Sequence, residues 1–191
     1  MTAKRGLLVI ISGPSGVGKD SLIERLVKRD SNLTYSVSFT TRSPRPGEVE
    51  GVSYSFVSRE RFEALIKESH FLEYASYAGN LYGTPASPVE AARTAGRDIL
   101  LKIEVHGAEQ VRKRAPDGLF IFIAPPNDDE LARRQELRSM ESQEDMAERR
   151  KIAQKEMQFA SHYDHLVVND DLDRAVQEVL TIIRRARERQ T

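Results

Sequence analysis

The sequence predicts an α/β fold: a mostly parallel sheet covered on both faces, with a small, mostly β lobe set into it. Three observations predict this. Short apolar runs at 7–11, 99–105, 119–123 and 166–169 alternate with stretches whose apolar residues recur at helical spacing. The runs at 7–11 and 119–123 are apolar throughout, which suits strands buried on both faces, as parallel strands are. Between residues 37 and 84 that rhythm breaks into half-exposed strand patterns and a Gly79-Asn80 turn, the signature of a separate β unit.

Composition sets limits. A chain of 191 residues forms one compact domain with room for small inserted lobes. Lys plus Arg equals Asp plus Glu at 29 each, so no global charge attracts nucleic acid or a membrane, and any anion site is local. Without cysteine, disulfides and thiolate metal sites are excluded. Met1-Thr2-Ala3-Lys4-Arg5 leads straight into the first apolar run, which is too short for a signal peptide or a membrane span. The expected location is cytoplasmic.

Taken in order, residues 7–11 read as a buried strand and 20–28 as a helix. A short strand is expected at 35–39, then a stiff loop, Thr40-Thr41-Arg42-Ser43-Pro44-Arg45-Pro46-Gly47-Glu48, whose two prolines and glycine exclude regular structure. A strand at 52–57 follows, Ser58 caps a helix to residue 67, and 71–77 is a strand turned into 81–83. Then come a helix at 85–95 ending at Gly96, a strand at 99–105, a helix at 108–114, and a strand at 119–123 closed by Pro125-Pro126. Helices are expected at 128–138 and 146–160, joined by a mobile polar connection at 139–145. A strand at 166–169 and an amphipathic helix at 172–187, apolar at Ala175, Val176, Val179, Leu180, Ile182 and Ile183, complete the chain.

The chemistry centres on Gly13-Pro14-Ser15-Gly16-Val17-Gly18-Lys19-Asp20-Ser21, between the first strand and the first helix. Glycines let backbone N–H groups converge on phosphate oxygens, the helix N-terminus adds partial positive charge, and Lys19 reaches the terminal phosphates. The expected ligand is a nucleoside triphosphate. Ligands of an open parallel sheet gather beyond the strands' carboxyl ends, so Glu104, His106, Asn127, Asp128 and Asn169-Asp170-Asp171 should line the same cleft. Glu104 stands where an acid orients water around a metal or touches substrate; its plain alternative is a surface acid paired with Lys102. Arg133, Arg134, Arg138, Arg149 and Arg150 form a helical hairpin's worth of cations able to close over a transferring phosphoryl group, or a solvated charged surface. Arg42, Arg45, Tyr54 and Tyr82 offer many donors to one anion. His70, His106, His162 and His165 fall in no base or ligand spacing and are assigned structural or surface roles.

Several segments together resemble one family over nearly the whole chain. Gly-Pro-Ser-Gly-Val-Gly-Lys at 13–19, Ser-Phe-Thr-Thr-Arg-Ser-Pro-Arg-Pro-Gly-Glu at 38–48, Gly-Val-Ser-Tyr-Ser-Phe-Val at 51–57, Phe-Leu-Glu-Tyr-Ala at 71–75, Tyr-Gly-Thr-Pro at 82–85 and Val-Val-Asn-Asp-Asp-Leu at 167–172 look like guanylate kinase. The resemblance implies ATP:GMP phosphotransfer with Mg2+ and a parallel five-stranded P-loop kinase core (1–36, 85–130 and 157–191). It also implies a mixed β GMP-binding lobe (37–84) and a helical lid (131–156). It implies that Arg42, Arg45, Tyr54 and Tyr82 hold the GMP phosphate, that Glu73 accepts from guanine N1–H and the 2-amino group, and that Ser38 and Thr84 serve the other polar edge of the base. Glu104 falls on the GMP side; Lys19, Arg42, Arg134, Arg138 and Arg149 stabilise the transfer; residues 13–21 and Asn169 hold ATP. Small molecules are the implied partners, with a monomer or a homo-oligomer both open.

The chain departs from the family pattern in four places. Asp20 replaces the usual hydroxyl residue, so it becomes an expected magnesium ligand while placing negative charge beside the triphosphate. Lys102 stands where the family has an acid, Glu104 where it has Asp, and Ser139-Met140 where the lid has Gly-Thr. Two alternatives stand beside the first reading. One is a kinase for ribose 1,5-bisphosphate, whose cradle also reads Gly-Lys-Asp-Ser; the other is a guanylate-kinase-like binding module without catalysis.

Overall fold

The computed structural model describes residues 4–136 and 151–190. Its centre is β1 (Leu8–Ser12), buried along its whole length. β1 leads through the phosphate cradle into α1 (Lys19–Arg29), then β2 (Leu33–Tyr35) and β3 (Phe39–Thr40). β4 (Ser55–Phe56), α2 (Arg59–Lys67), β5 (Phe71–Tyr77), β6 (Asn80–Pro85) and α3 (Ala86–Thr94) follow. The chain continues with β7 (Asp98–Lys102), α4 (Val105–Arg114), β8 (Leu119–Ala124) and α5 (Asp128–Glu136). Residues 151–157 are helical (α6) and run into a 3₁₀ turn, Gln158–His162, before β9 (His165–Val168) and α7 (Leu172–Arg189).

Five parallel strands in the order β2-β7-β1-β8-β9 make the main sheet. Alternation along β1 sends its side chains to two cores. Val9 and Ile11 pack with Leu22 and Leu26 of α1 and Val176 and Val179 of α7; Leu8 and Ile10 pack with Val89 of α3 and Ala108 and Val111 of α4. Because the chain crosses to β7 on one side of β1 and to β8 on the other, the loop after β1 lies at the point where strand order reverses.

A second sheet, ordered β4-β3-β6-β5, mixes parallel and antiparallel pairs. Its core is Phe62, Leu65 and Phe71, with the Phe62 and Phe71 rings stacked at 4.6 Å. The Ser58 hydroxyl accepts from Arg61 N at 3.2 Å, capping α2 as its sequence position anticipates. α4 ties the two sheets together: Gln110 Nε2 donates to Tyr74 O at 2.7 Å and Arg114 Nη1 to Phe71 O at 3.1 Å.

Three expectations are corrected. The strand expected at 35–39 is two strands in different sheets, because Ser36 N turns to Leu100 O while Phe39 pairs with Gly83. The strand expected at 52–57 shortens to Ser55–Phe56, since a turn places Val52 N on Val49 O. The strand expected at 99–105 stops at Lys102, and Glu104 becomes the residue preceding α4. The connection at 139–145 and the first residues of the helix expected at 146–160 lie outside the described residues.

Candidate active site

The cradle forms because its backbone leaves the territory of ordinary residues. Gly13 has φ 144°, and a Cβ there would run into the backbone oxygen of Ile123 on β8. Val17, fully buried, anchors the loop, and no side chain caps α1, so the first-turn N–H groups face the loop's mouth. Lys19 is buried and folds back over the loop, its Nζ donating to Gly13 O and, at 3.1 Å, to Pro14 O. Two braces hold the loop from outside: Asn169 Nδ2 donates to Val17 O and Gln135 Nε2 to Ser15 O, each at 2.7 Å. Asp20 and Ser21 are exposed on α1.

The second sheet builds a different kind of pocket. Phe39 pairs with Gly83, which sets Ser38 opposite Thr84, and Thr84 pairs with Glu73, so the three expected base-reading residues form one cross-strand row. All three are buried, and Thr84 Oγ1 donates to Glu73 Oε1 at 2.6 Å. The other oxygen, Oε2, lies against Gly107 of α4, where a Cβ would stand 2.5 Å from it. Burial pushes the Glu73 carboxyl up to about 7, against the pull of the Thr84 hydrogen bonds, with the nearby Glu104 adding to the rise. Gly107→Ala should therefore displace the carboxylate and raise the KM for a guanine nucleotide about tenfold by weakening one charged hydrogen bond. An unchanged KM in steady-state kinetics would refute that placement.

The proline-rich loop is held by an acid that the sequence pattern did not single out. Glu48 accepts from Arg42 Nη2 at 2.7 and 2.9 Å and from Arg45 N at 2.8 Å. The Arg42 guanidinium lies 5.5 Å over the Tyr54 ring, Tyr54 and Tyr82 are 5.9 Å apart, and the Arg45 side chain is exposed. Lys102 Nζ stands 4.9 Å from the Tyr54 ring centroid and donates to Asp20 Oδ1 at 2.6 Å. Burial alone would lower the Lys102 ammonium, but Tyr35, Asp20 and Tyr54 raise it above its ordinary value. Asp20, the expected metal ligand, is here the ion-pair partner of Lys102, and Lys102 does not pair with Glu104.

Between cradle and pocket lie buried acids. Glu104 Oε2, Glu156 Oε2 and the Tyr163 hydroxyl have no hydrogen-bond partner among the described residues. Glu156, on α6, is driven upward by burial and by the facing Glu104, while Lys19 and a Ser15 backbone hydrogen bond pull it down. Sequence reasoning missed Glu156. Its one available signal is a charged residue in step with buried Ala153 on the inward side of α6. Arg134 lies behind the cradle, its Nε on Glu130 at 2.7 Å and its Nη1 on Asn169 O at 3.0 Å. Arg138, Arg149 and Arg150 lie outside the described residues. The other strand-end polar residues serve as caps: Asn127 Oδ1 accepts from Glu130 N, and Asp171 Oδ1 from Arg174 N. His106 is exposed, edge-on to Phe159.

A phosphate cradle at the switch point of a parallel sheet, joined to a separate arginine-bearing β lobe, defines a P-loop kinase of small molecules. A shikimate kinase from Bacteroides thetaiotaomicron shares this fold, with a TM-score of 0.52 at 13% identity over 93% of this chain and 98% of that one. A family model described as guanylate kinase matches residues 5–186. A guanylate kinase from Listeria innocua is 50% identical over 94% of this chain and 88% of its own, and one from Thermus thermophilus is 48% identical over 99% and 84%. The crystal structure of guanylate kinase from Anaplasma phagocytophilum superposes with a TM-score of 0.79 at 33% identity, covering 95% of this chain and 86% of that one. The chain belongs to the guanylate kinase family. These relatives favour neither the sugar-phosphate kinase nor the non-catalytic module.

The family implies Mg2+, and the donor chemistry fits it. Glu104 and Glu156 face each other with the hard carboxyl oxygens that ion takes, and the Glu156 carboxyl lies within electrostatic reach of Lys19.

Proposed function

We propose that the protein is an ATP:GMP phosphotransferase producing ADP and GDP with Mg2+. The observation that carries the substrate choice is the buried Glu73 carboxylate beside Thr84. A carboxylate there accepts from guanine N1–H and the 2-amino group. Adenine has neither donor and would leave the buried charge unpaired, a discrimination worth orders of magnitude. Ser38 and Thr84 hydroxyls read the base's remaining polar edge.

The acceptor needs no general base. A phosphate monoester has a second pKa near 6, so at pH 7 its oxygen is largely ready to attack the γ-phosphorus as the bond to the β–γ bridging oxygen breaks. The protein's part is position and charge. The 13–21 cradle with Lys19 holds the donor phosphates, Arg42, Arg45, Tyr54 and Tyr82 fix the acceptor phosphate, and Asn169 lies beside the ATP-binding loop. Arg134, Arg138 and Arg149 are assigned to the transferring group from a lid over 131–156, closing between a 37–84 acceptor lobe and the core. Bound Mg2+ would neutralise triphosphate charge, and Glu104, Glu156 and Asp20 are the carboxylates that would hold it. A cytoplasmic location and small-molecule partners belong to the same proposal; among the described residues no helix is long and apolar enough to cross a membrane.

The test is a coupled ADP-release assay with ATP and Mg2+, offering GMP, AMP, UMP, CMP and ribose 1,5-bisphosphate. Turnover with GMP, and none with the other nucleotides or the sugar phosphate, is the expected result. Turnover of ribose 1,5-bisphosphate alone would replace the reading, and silence with every acceptor would leave a binding module.

A further inference from the structure

Lys102 is a cation between the phosphate cradle and the β lobe, and its surroundings give it work. It is the last residue of β7, paired in register with Ile11 of β1, so it stands at the sheet's carboxyl edge level with the start of the cradle. Its side chain is only 17% exposed, while its ion-pair partner Asp20 is 62% exposed. An ion pair whose carboxylate remains in water compensates a buried ammonium weakly. Two further features show that more charge is needed there. Arg42 and Lys102 approach the same Tyr54 ring, at 5.5 and 4.9 Å, bringing two cations onto one aromatic residue. The Tyr35 hydroxyl is buried beside Lys102, near enough to be acted on by its charge and by hydrogen bonding to it. Two cations converging on one aromatic ring, with a buried hydroxyl beside them, are arranged for an anion.

We propose that Lys102 binds the phosphate of the nucleoside monophosphate acceptor, with Asp20 positioning its ammonium between the donor cradle and the acceptor lobe. The inference rests on the GMP kinase reading. It also gives Asp20 a role: tethered to Lys102, the carboxylate that would repel the triphosphate instead fixes a cation at the junction of the two substrates. Lys102 and Asp20 thus act as a unit across 82 residues of sequence.

Calorimetric titration of GMP and of guanosine, which lacks the phosphate, separates this role from a structural one. Lys102→Met should weaken GMP about 10- to 100-fold, the worth of a charged hydrogen bond, and leave guanosine unchanged. Lys102→Arg should recover most of the GMP affinity. Asp20→Asn should retain part of the preference for GMP over guanosine, because the ammonium is still present. Equal losses for GMP and guanosine in Lys102→Met, or no loss for either, would overturn the proposal. If the wild-type protein turns over no GMP, the kinase reading itself fails, a result distinct from a wild-type enzyme that works and a Lys102 variant that matches it.

Discussion

Lys19→Met is expected to lower kcat for GMP phosphorylation about 1000-fold while leaving GMP binding within a factor of two, the scale on which lost transition-state charge stabilisation is read. The ammonium is buried, and its hydrogen bonds go to two carbonyl oxygens of its own loop, those of Gly13 and Pro14. Carbonyl acceptors keep it at the mouth of the cradle without neutralising it. A triphosphate entering there meets a positive charge already in place, so little reorganisation is needed as negative charge shifts during transfer. Methionine keeps the length and apolar stem of the side chain, so the loop, braced independently by Gln135 and Asn169, should fold as before. Rapid-quench measurement of the transfer step is the direct check. A kcat within tenfold of wild type would show that the cradle's backbone and the bound cation suffice.

How much of this was legible depends on whether the cause is local. β1 and β8 were readable because burial on both faces requires apolar runs, and α7 because one stripe of it covers the sheet. The cradle was readable because phosphate binding confines its glycines and lysine to one short stretch. The division between β2 and β3 was not: residues 35–39 carry one strand-like pattern, and only the positions of Leu100 and Gly83, far along the chain, split it between two sheets. The same holds within the site. Glu48 gains meaning from Arg42, Gly107 from the Glu73 carboxylate, Gln135 from Ser15 O, and Glu156 from Glu104. Asp20 and Lys102 each stood out as departures, but their pairing is a property of the fold.

Glu73→Gln should reduce kcat/KM for GMP about 1000-fold and leave ATP affinity unchanged, because a site built to accept hydrogen bonds is given a donor instead. Equal losses for both substrates would remove Glu73 from base recognition. The pH dependence sharpens the test. With its carboxyl at about 7 in the free protein, Glu73 is half protonated at neutrality, and only the ionised form accepts from both guanine donors. Guanosine affinity should therefore rise from pH 6 to pH 8 and then level off, and the rise should vanish in Glu73→Gln; guanosine avoids the titration of the GMP phosphate itself. Stability should move the opposite way. The folded value lies above the ordinary 4.5, so between 4.5 and about 7 the unfolded chain sheds its proton first, and stability falls as pH rises through that window. The full shift corresponds to about 3 kcal/mol. Glu73→Gln should accordingly match the wild type in thermal unfolding at pH 4.5 and exceed it at pH 8. A variant less active toward GMP yet more stable at pH 8 would show that the buried carboxylate is kept for the base it reads, at the expense of the fold that holds it.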